Sequence, residues 1–346
     1  MANRIILNQT SYHGAGAIKE LPTEVKSRGL KKALICCGPT LLRHGVIAHV
    51  TDVLDAAGLS YEIYSDIKPN PTIENVTDGV AAFKAAGADY LIAIGGGSPM
   101  DVAKAVGVVA KFGGTIGDYE GVGKVPGPID TLIAVPTTAG TGSEVTVAAV
   151  ITDEARNYKL SVLGPEISPT YAVLDPELIM TAPASVAAAC GVDALIHAME
   201  SYINTDANPF AMAMGEKAME LIGGNIRKFV ARRNDPDAAC AMMLGSTFAA
   251  CFGVLPNTSF SQNVGLVAMT KVVNRGALAT GAVFLILCGL IPKLGALVSI
   301  MPQAVLGGAA VMMFSSIVVS GIQLITKEKM TPRTLTIVSV ALGVGY

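Results

Sequence analysis

Hydrophobic and polar positions follow two different periods over the first 180 residues. Short apolar, β-branched runs at 32–37, 61–64, 90–94 and 131–135 predict strands. Between them, apolar residues recur at helical spacing near 17–27, 45–57, 76–86 and 100–110. Apolar strands alternating with helices predict an α/β domain whose parallel sheet is covered by helices on both faces. From residue 183 the spacing is helical throughout. Beyond residue 250 the polar positions nearly vanish. Apolar runs fill 276–291 and 306–325, and another begins at 334–346. The stretch 294–325 carries no charge at all, and about 20 apolar residues suffice to cross a bilayer. The pattern divides the chain into an α/β domain (1–182), an all-α segment (183–250) and apolar membrane-type helices (251–346).

Charge sharpens the division. Residues 1–250 hold 19 Lys+Arg and 26 Asp+Glu, whereas residues 251–346 hold six and one. Residues 1–250 are therefore expected in the cytoplasm and residues 251–346 in a membrane, held there through 276–346. A net charge of −2 without a basic cluster excludes a nucleic-acid partner. The six cysteines are scattered and form no CxxC, as expected of reduced thiols in a cytosolic chain. Residues 1–8 show no apolar leader.

Three segments carry candidate chemistry. After the strand at 90–94 comes Gly95-Gly96-Gly97-Ser98-Pro99-Met100-Asp101, a glycine turn opening a helix. Glycines let the backbone approach a phosphate, and a helix N-terminus offers free N–H groups at the positive end of its dipole. A tight strand-to-helix turn without a ligand has the same form. After the strand at 131–135 comes Pro136-Thr137-Thr138-Ala139-Gly140-Thr141-Gly142-Ser143-Glu144, whose small hydroxyls suit phosphate or ribose oxygens. Asp193 and His197 lie four apart in the helical region, on one face and one turn apart. A carboxylate and an imidazole so placed suit one divalent metal, although an isolated pair of this spacing is common on helix surfaces.

Together these segments resemble the iron-containing (group III) alcohol dehydrogenases, over residues 1 to about 250. Gly-Val-Asp-Ala-Leu-Ile-His-Ala-Met-Glu-Ser-Tyr (191–202), Asn3 to Asn8 and Pro69-Asn70-Pro71-Thr72 match as well. The resemblance implies a dinucleotide domain followed by the start of a helical metal-binding domain, here truncated. It implies an NAD- or NADP-dependent, iron-dependent oxidoreductase acting on small diols or aldehydes, assembled as a homodimer. Gly96, Gly97 and Ser98 are then expected to cradle the pyrophosphate. Thr137, Thr138 and Thr141 line the rest of the cofactor cleft, with Asn70 and Lys159 near it. Asp193 and His197 become two of the iron ligands, and no catalytic residue is expected beyond that site. Two departures stand out. NAD-preferring members carry an Asp where this chain has Gly38, so NADP becomes admissible. The family's other two metal ligands are later histidines, and no histidine follows His197 in this chain. The iron site is incomplete, and the chain is expected to be inactive.

The last hundred residues resemble a different family. Gln262-Asn263-Val264-Gly265 running on to Thr270-Lys271, with Ile300 to Ala309, is similar to the xanthine/uracil permeases of the nucleobase–ascorbate transporter family. That resemblance gives Gln262 and Asn263 a nucleobase-binding role, since side-chain amides pair with purine and pyrimidine edges. A fusion of two fragments joined near 248–252 is the expected architecture. A nucleobase permease fragment and a nonfunctional hybrid remain as alternatives to the dehydrogenase.

Overall fold

The structure is a computed structural model that describes residues 6–156, 158–204 and 207–251, together with Thr280, Gly308 and Ser315. The chain parts into two units, Met1–Pro256 and Asn257–Tyr346. The described fold belongs to the first. Apart from the three residues just named, the apolar runs 276–291, 306–325 and 334–346 lie outside the described residues, as do Gln262 and Asn263.

In chain order the elements are β1 (Thr10–His13), α1 (Leu21–Ser27), β2 (Lys32–Cys37), α2 (Pro39–Arg43), α3 (Ala48–Ala56), β3 (Ser60–Tyr64) and α4 (Ile73–Ala86). Then come β4 (Tyr90–Gly95), α5 (Gly97–Phe112), β5 (Gly121–Val122), β6 (Leu132–Pro136), β7 (Ala148–Asp153), β8 (Tyr158–Leu163) and β9 (Tyr171–Leu174). The chain continues as α6 (Pro176–Ile179), α7 (Ala184–Ile203), α8 (Pro209–Ala231) and α9 (Pro236–Cys251).

Six strands pair in parallel in the order β1-β9-β6-β4-β2-β3. Every residue of β4 is buried, and its side chains alternate between two cores. Tyr90, Ile92 and Ile94 join Leu21, Val25, Val50 and Leu54 of α1 and α3 on one face. Leu91 and Ala93 join Val76, Val80, Val102 and Val106 of α4 and α5 on the other. The doubly covered parallel sheet read from the strand–helix alternation is thus the one observed. The order reverses between β2 and β4. In such sheets that switch point, at the strands' carboxyl ends, is where ligands bind.

Local chemistry shifts several boundaries. The pattern at 17–27 splits into a 3-10 turn (Ala17–Glu20) and α1, whose first turn holds Pro22. A short α2 precedes α3, where the sequence suggested one helix from residue 45. Helix α4 begins earlier than residue 76 because Thr72 and Asn75 form a reciprocal capping box. The sequence reading passed over β1, β9 and the small sheet β5-β8-β7, in which β7 and β8 run antiparallel.

Helices α7, α8 and α9 share the third core, with Ala194, Ala198, Ala218, Ile222, Phe229 and Met242 inside. Small residues let them approach closely. A Cβ on Gly191 would stand 2.8 Å from Ile226 and 2.9 Å from Met242, and one on Gly245 2.7 Å from Ile222. Among the described residues α7 alone has the length and apolar composition to cross a membrane. That is weak evidence, because core helices pass the same test and Ala187, Ala194 and Ala198 sit in this core.

Candidate functional site

The loops predicted from sequence meet at the carboxyl edge of β4 and β6. These strands are in register through Gly95 and Pro136, and the Thr137 N–H donates to the Gly95 carbonyl at 2.9 Å. Gly95 has φ +148°, and a Cβ there would strike Pro99 at 2.8 Å. The turn into α5 therefore has room only for hydrogen. A Cβ on Gly96 would stand 3.2 Å from Thr138 Oγ1, and one on Gly97 3.3 Å from Thr141. The two glycines and two threonines thus form one seam. Gly96 caps α5 without any side-chain acceptor, and no acidic residue enters the first turn. The Gly97 and Ser98 N–H groups therefore have no intrahelical partner and remain available to an anion.

This seam forms one wall of a cleft of about 770 Å³. Gly97, Ser98 and Thr141 line it together with Asn70, Lys159 and His197. Asn70 adopts φ +56°, which asparagine tolerates, and its Oδ1 accepts from Lys159 Nζ at 2.9 Å. The turn before α4 is pinned beside the hairpin, since Thr152 N–H donates to the Pro71 carbonyl at 2.7 Å. Thr137 is buried and contributes its backbone, whereas Thr141 is exposed to the cleft. Gly38 follows β2 at the switch point, next to the Cys37–Ile94 pair, but does not line this cleft. A Cβ at Gly38 would meet nothing within 4 Å.

Beneath the seam lies a charged cluster that sequence reasoning missed. Lys104 is wholly buried. Its Nζ donates to Ser143 Oγ at 2.9 Å, to the Thr146 carbonyl at 3.0 Å and to the Ala148 carbonyl at 2.9 Å, with Thr146 Oγ1 at 3.2 Å. Ser143 Oγ in turn donates to Asp101 Oδ1 at 2.8 Å, and Asp101 Oδ2 accepts from the Val150 N–H at 3.2 Å. Burial pushes the Lys104 ammonium down to about 8, against the pull of Asp101 and Glu144. Burial likewise raises the Asp101 and Glu144 carboxyls, opposed in each by Lys104. Asp101 and Glu144 both stand in the quoted motifs, but nothing in their spacing marks them as partners of a lysine.

Helix α7 passes behind the second loop. A Cβ on Gly140 would stand 2.7 Å from Cys190, one turn before Asp193. Burial raises the Cys190 thiol, Asp193 adds to the rise, and a hydrogen bond with Thr138 opposes it. Asp193 Oδ1 and His197 Nε2 lie 3.7 Å apart, with 48% and 29% of their side chains exposed. His197 lines the cleft with Glu200, while Asp193 does not. Among the described residues no third His, Cys, Asp or Glu joins the pair in a metal-holding group. Catalytic sites usually supply three protein ligands. Two half-exposed donors do not enclose an iron ion.

The sequence matches two models of one family: iron-containing alcohol dehydrogenase over residues 8–176, and its C-terminal region over residues 187–263. A permease family model matches residues 232–346, overlapping the second of these. Lactaldehyde reductase of Escherichia coli K12 is 46% identical over 252 residues, which is 72% of this chain and 65% of that protein. The chain thus spans less than two thirds of that relative's length. The solved alcohol dehydrogenase from Oenococcus oeni superposes with TM-score 0.73 at 30% identity, over 78% of this chain and 72% of that one. Sulfoacetaldehyde reductase from Bifidobacterium kashiwanohense, solved in complex with NAD+, gives 0.71 at 27% identity, over 79% and 72%.

Proposed function

The chain belongs to the iron-containing alcohol dehydrogenase family, and we propose that it keeps that family's dinucleotide site without a working metal centre. The family uses NAD(H) and Fe²⁺. Small alcohols and aldehydes are the proposed substrate class, in keeping with the lactaldehyde and sulfoacetaldehyde reductases it resembles. The observation that carries the reading is the seam: Gly96 against Thr138 and Gly97 against Thr141, at an uncapped helix N-terminus beside the cleft. The glycines leave the start of α5 free of side chains, so its N–H groups can meet a phosphate from the cleft.

When bound, a nicotinamide cofactor supplies a two-electron hydride acceptor or donor. The chain's own part is to hold it. Gly97 and Ser98 would hold the pyrophosphate through their N–H groups, and Thr138, Thr141, Lys159 and Asn70 would supply polar groups to the rest of the dinucleotide. With no carboxylate at Gly38, NADP is admitted as well as NAD. The proposed loss of turnover rests on Asp193 and His197, which among the described residues are not joined by a third His, Cys, Asp or Glu in a metal-holding group. The test is calorimetric titration of the full-length chain in mild detergent with NAD and with NADP. Saturable heat with either, lost in Gly97→Val, is expected. No saturable binding of either cofactor overturns the reading.

A second reading rests on the permease match at 232–346. On it, those residues enter a membrane and Gln262 with Asn263 faces a nucleobase. Transporters of this kind build their site from two interlocking repeats, whereas the permease match here is confined to residues 232–346. The expected result is membrane sedimentation without xanthine, urate or uracil uptake in permease-deficient cells. Saturable uptake abolished by Gln262→Ala would favour this reading over the dehydrogenase. A hybrid with neither function is the outcome if both tests fail.

A further inference from the structure

The buried Lys104 cluster has no place in the reading above, yet it touches both loops of the seam from below. Lys104 and Asp101 lie one turn apart on α5, the helix whose N-terminus carries Gly97 and Ser98. Their partners Ser143, Thr146, Ala148 and Val150 lie on the strand-entry segment that continues from Thr141. Of these residues, Asp101, Ser143, Thr146, Ala148 and Val150 line the cleft, whereas Lys104 is sealed behind them.

We propose that Lys104 is a positioning residue for the dinucleotide: its ammonium clamps the 141–150 segment onto α5 and so sets the spacing between the phosphate turn and the threonine loop. The inference rests on the dinucleotide reading of this cleft.

The chemistry favours the charged amine in this role. An ammonium donates three protons and accepts none. Two go to the Thr146 and Ala148 carbonyls and one to Ser143 Oγ, which leaves the serine proton to point at Asp101. A neutral amine has one proton fewer and gives up one of these bonds, which loosens the hold of α5 on the 143–148 segment. A structural filler of apolar shape would not need this arrangement. Among the described residues the charges acting on Lys104 are Asp101 from its own helix and Glu144 from the loop. Both attract the ammonium.

The clamp and the cofactor reading separate experimentally. Hydrogen exchange on the full-length chain without nucleotide reports the clamp alone. In Lys104→Met, amides of 138–150 should exchange at least about tenfold faster, while those of β4 stay protected. Unchanged exchange at 138–150 overturns the clamp. Titration with NAD reports its consequence. Affinity in the wild-type chain should fall about tenfold as pH rises through the deprotonation of Lys104, and Lys104→Met should be weak at every pH. Ser143→Ala, which breaks the cluster without burying a lone charge, should give an intermediate loss and keeps the test open if the methionine variant does not fold. A pH profile in Lys104→Met that follows the wild type overturns the role. Failure of the wild-type chain to bind either dinucleotide overturns the reading of the cleft instead, and the exchange rates then decide the clamp by themselves.

Discussion

The phosphate seam and the Asp193–His197 pair differ in how many independent elements hold them. The seam is fixed by the β4–β6 register, the Thr137–Gly95 hydrogen bond, two glycine–threonine contacts and a buried charged cluster below. The pair has one helix, one 3.7 Å contact and two half-exposed side chains. A site assembled from neighbouring strand ends is complete once the sheet is complete. A site that draws each ligand from a different helix is lost with any one of them. On the reading proposed above, family membership in this chain carries over to cofactor binding and not to metal chemistry, and the two regions can be tested separately.

The largest expected effect tests that contrast directly. After dialysis the full-length chain should retain no stoichiometric Fe²⁺ or Zn²⁺, by elemental analysis. In an NADH-linked assay with propanediol or lactaldehyde, its rate should lie at least about a thousandfold below that of a full-length relative, the several kcal/mol that a metal Lewis acid contributes. Tightly held metal together with turnover would show that residues beyond the described ones complete the site.

Next comes the point where the second loop meets α9. Gly142 has φ +60°, and a Cβ there would collide with Ala250. Thr247 Oγ1 also reaches Glu144 Oε1 at 3.4 Å across the same contact. Gly142→Val should cost about 2–4 kcal/mol, from the strained backbone and the collision together. Thermal unfolding in detergent measures it. A change below the noise would mean that α9 does not brace the loop.

Much of the dinucleotide half is legible in the sequence because its signals are local. A strand, a glycine turn and a helix follow one another in 90–112, and the threonine loop likewise follows directly on a strand, β6. Lys104 is not legible. It stands among Val102, Ala103, Ala105 and Val106, where a lysine ordinarily runs its stem along apolar surface and leaves its charge in water. The partners that bury it are 39 to 44 residues away. The β7–β8 hairpin escaped for a related reason, since the sequence between its strands lacks the Asn-Gly or Asp-Gly pair that marks tight hairpins. β1 is four residues, Thr10–His13, at a sheet edge, half exposed and polar. The spacing of Asp193 and His197 is legible, but spacing on one helix says nothing of ligands from others.

Gly38 allows a finer test of the dinucleotide half. It follows β2 at the switch point with open space around its missing side chain, so Gly38→Asp introduces a carboxylate without a clash. That carboxylate can bond ribose hydroxyls and repels a 2′-phosphate. The ratio of NAD to NADP affinity should rise about tenfold, worth about 1.4 kcal/mol. If the ratio of the two dissociation constants does not move, Gly38 does not face the adenosine ribose.

The smallest expected effect lies on the other side of the contrast. If Asp193 and His197 form only a surface pair in this chain, removing one member should matter little. Their 3.7 Å separation and solvent exposure leave the attraction screened, and pairs of this kind contribute about 0–1 kcal/mol. His197→Ala should therefore shift unfolding stability by no more than about 0.5 kcal/mol. A gain in stability when Fe²⁺ is added to the wild-type chain, absent in the variant, would mean that the pair still binds metal. The metal half would then be weakened rather than lost.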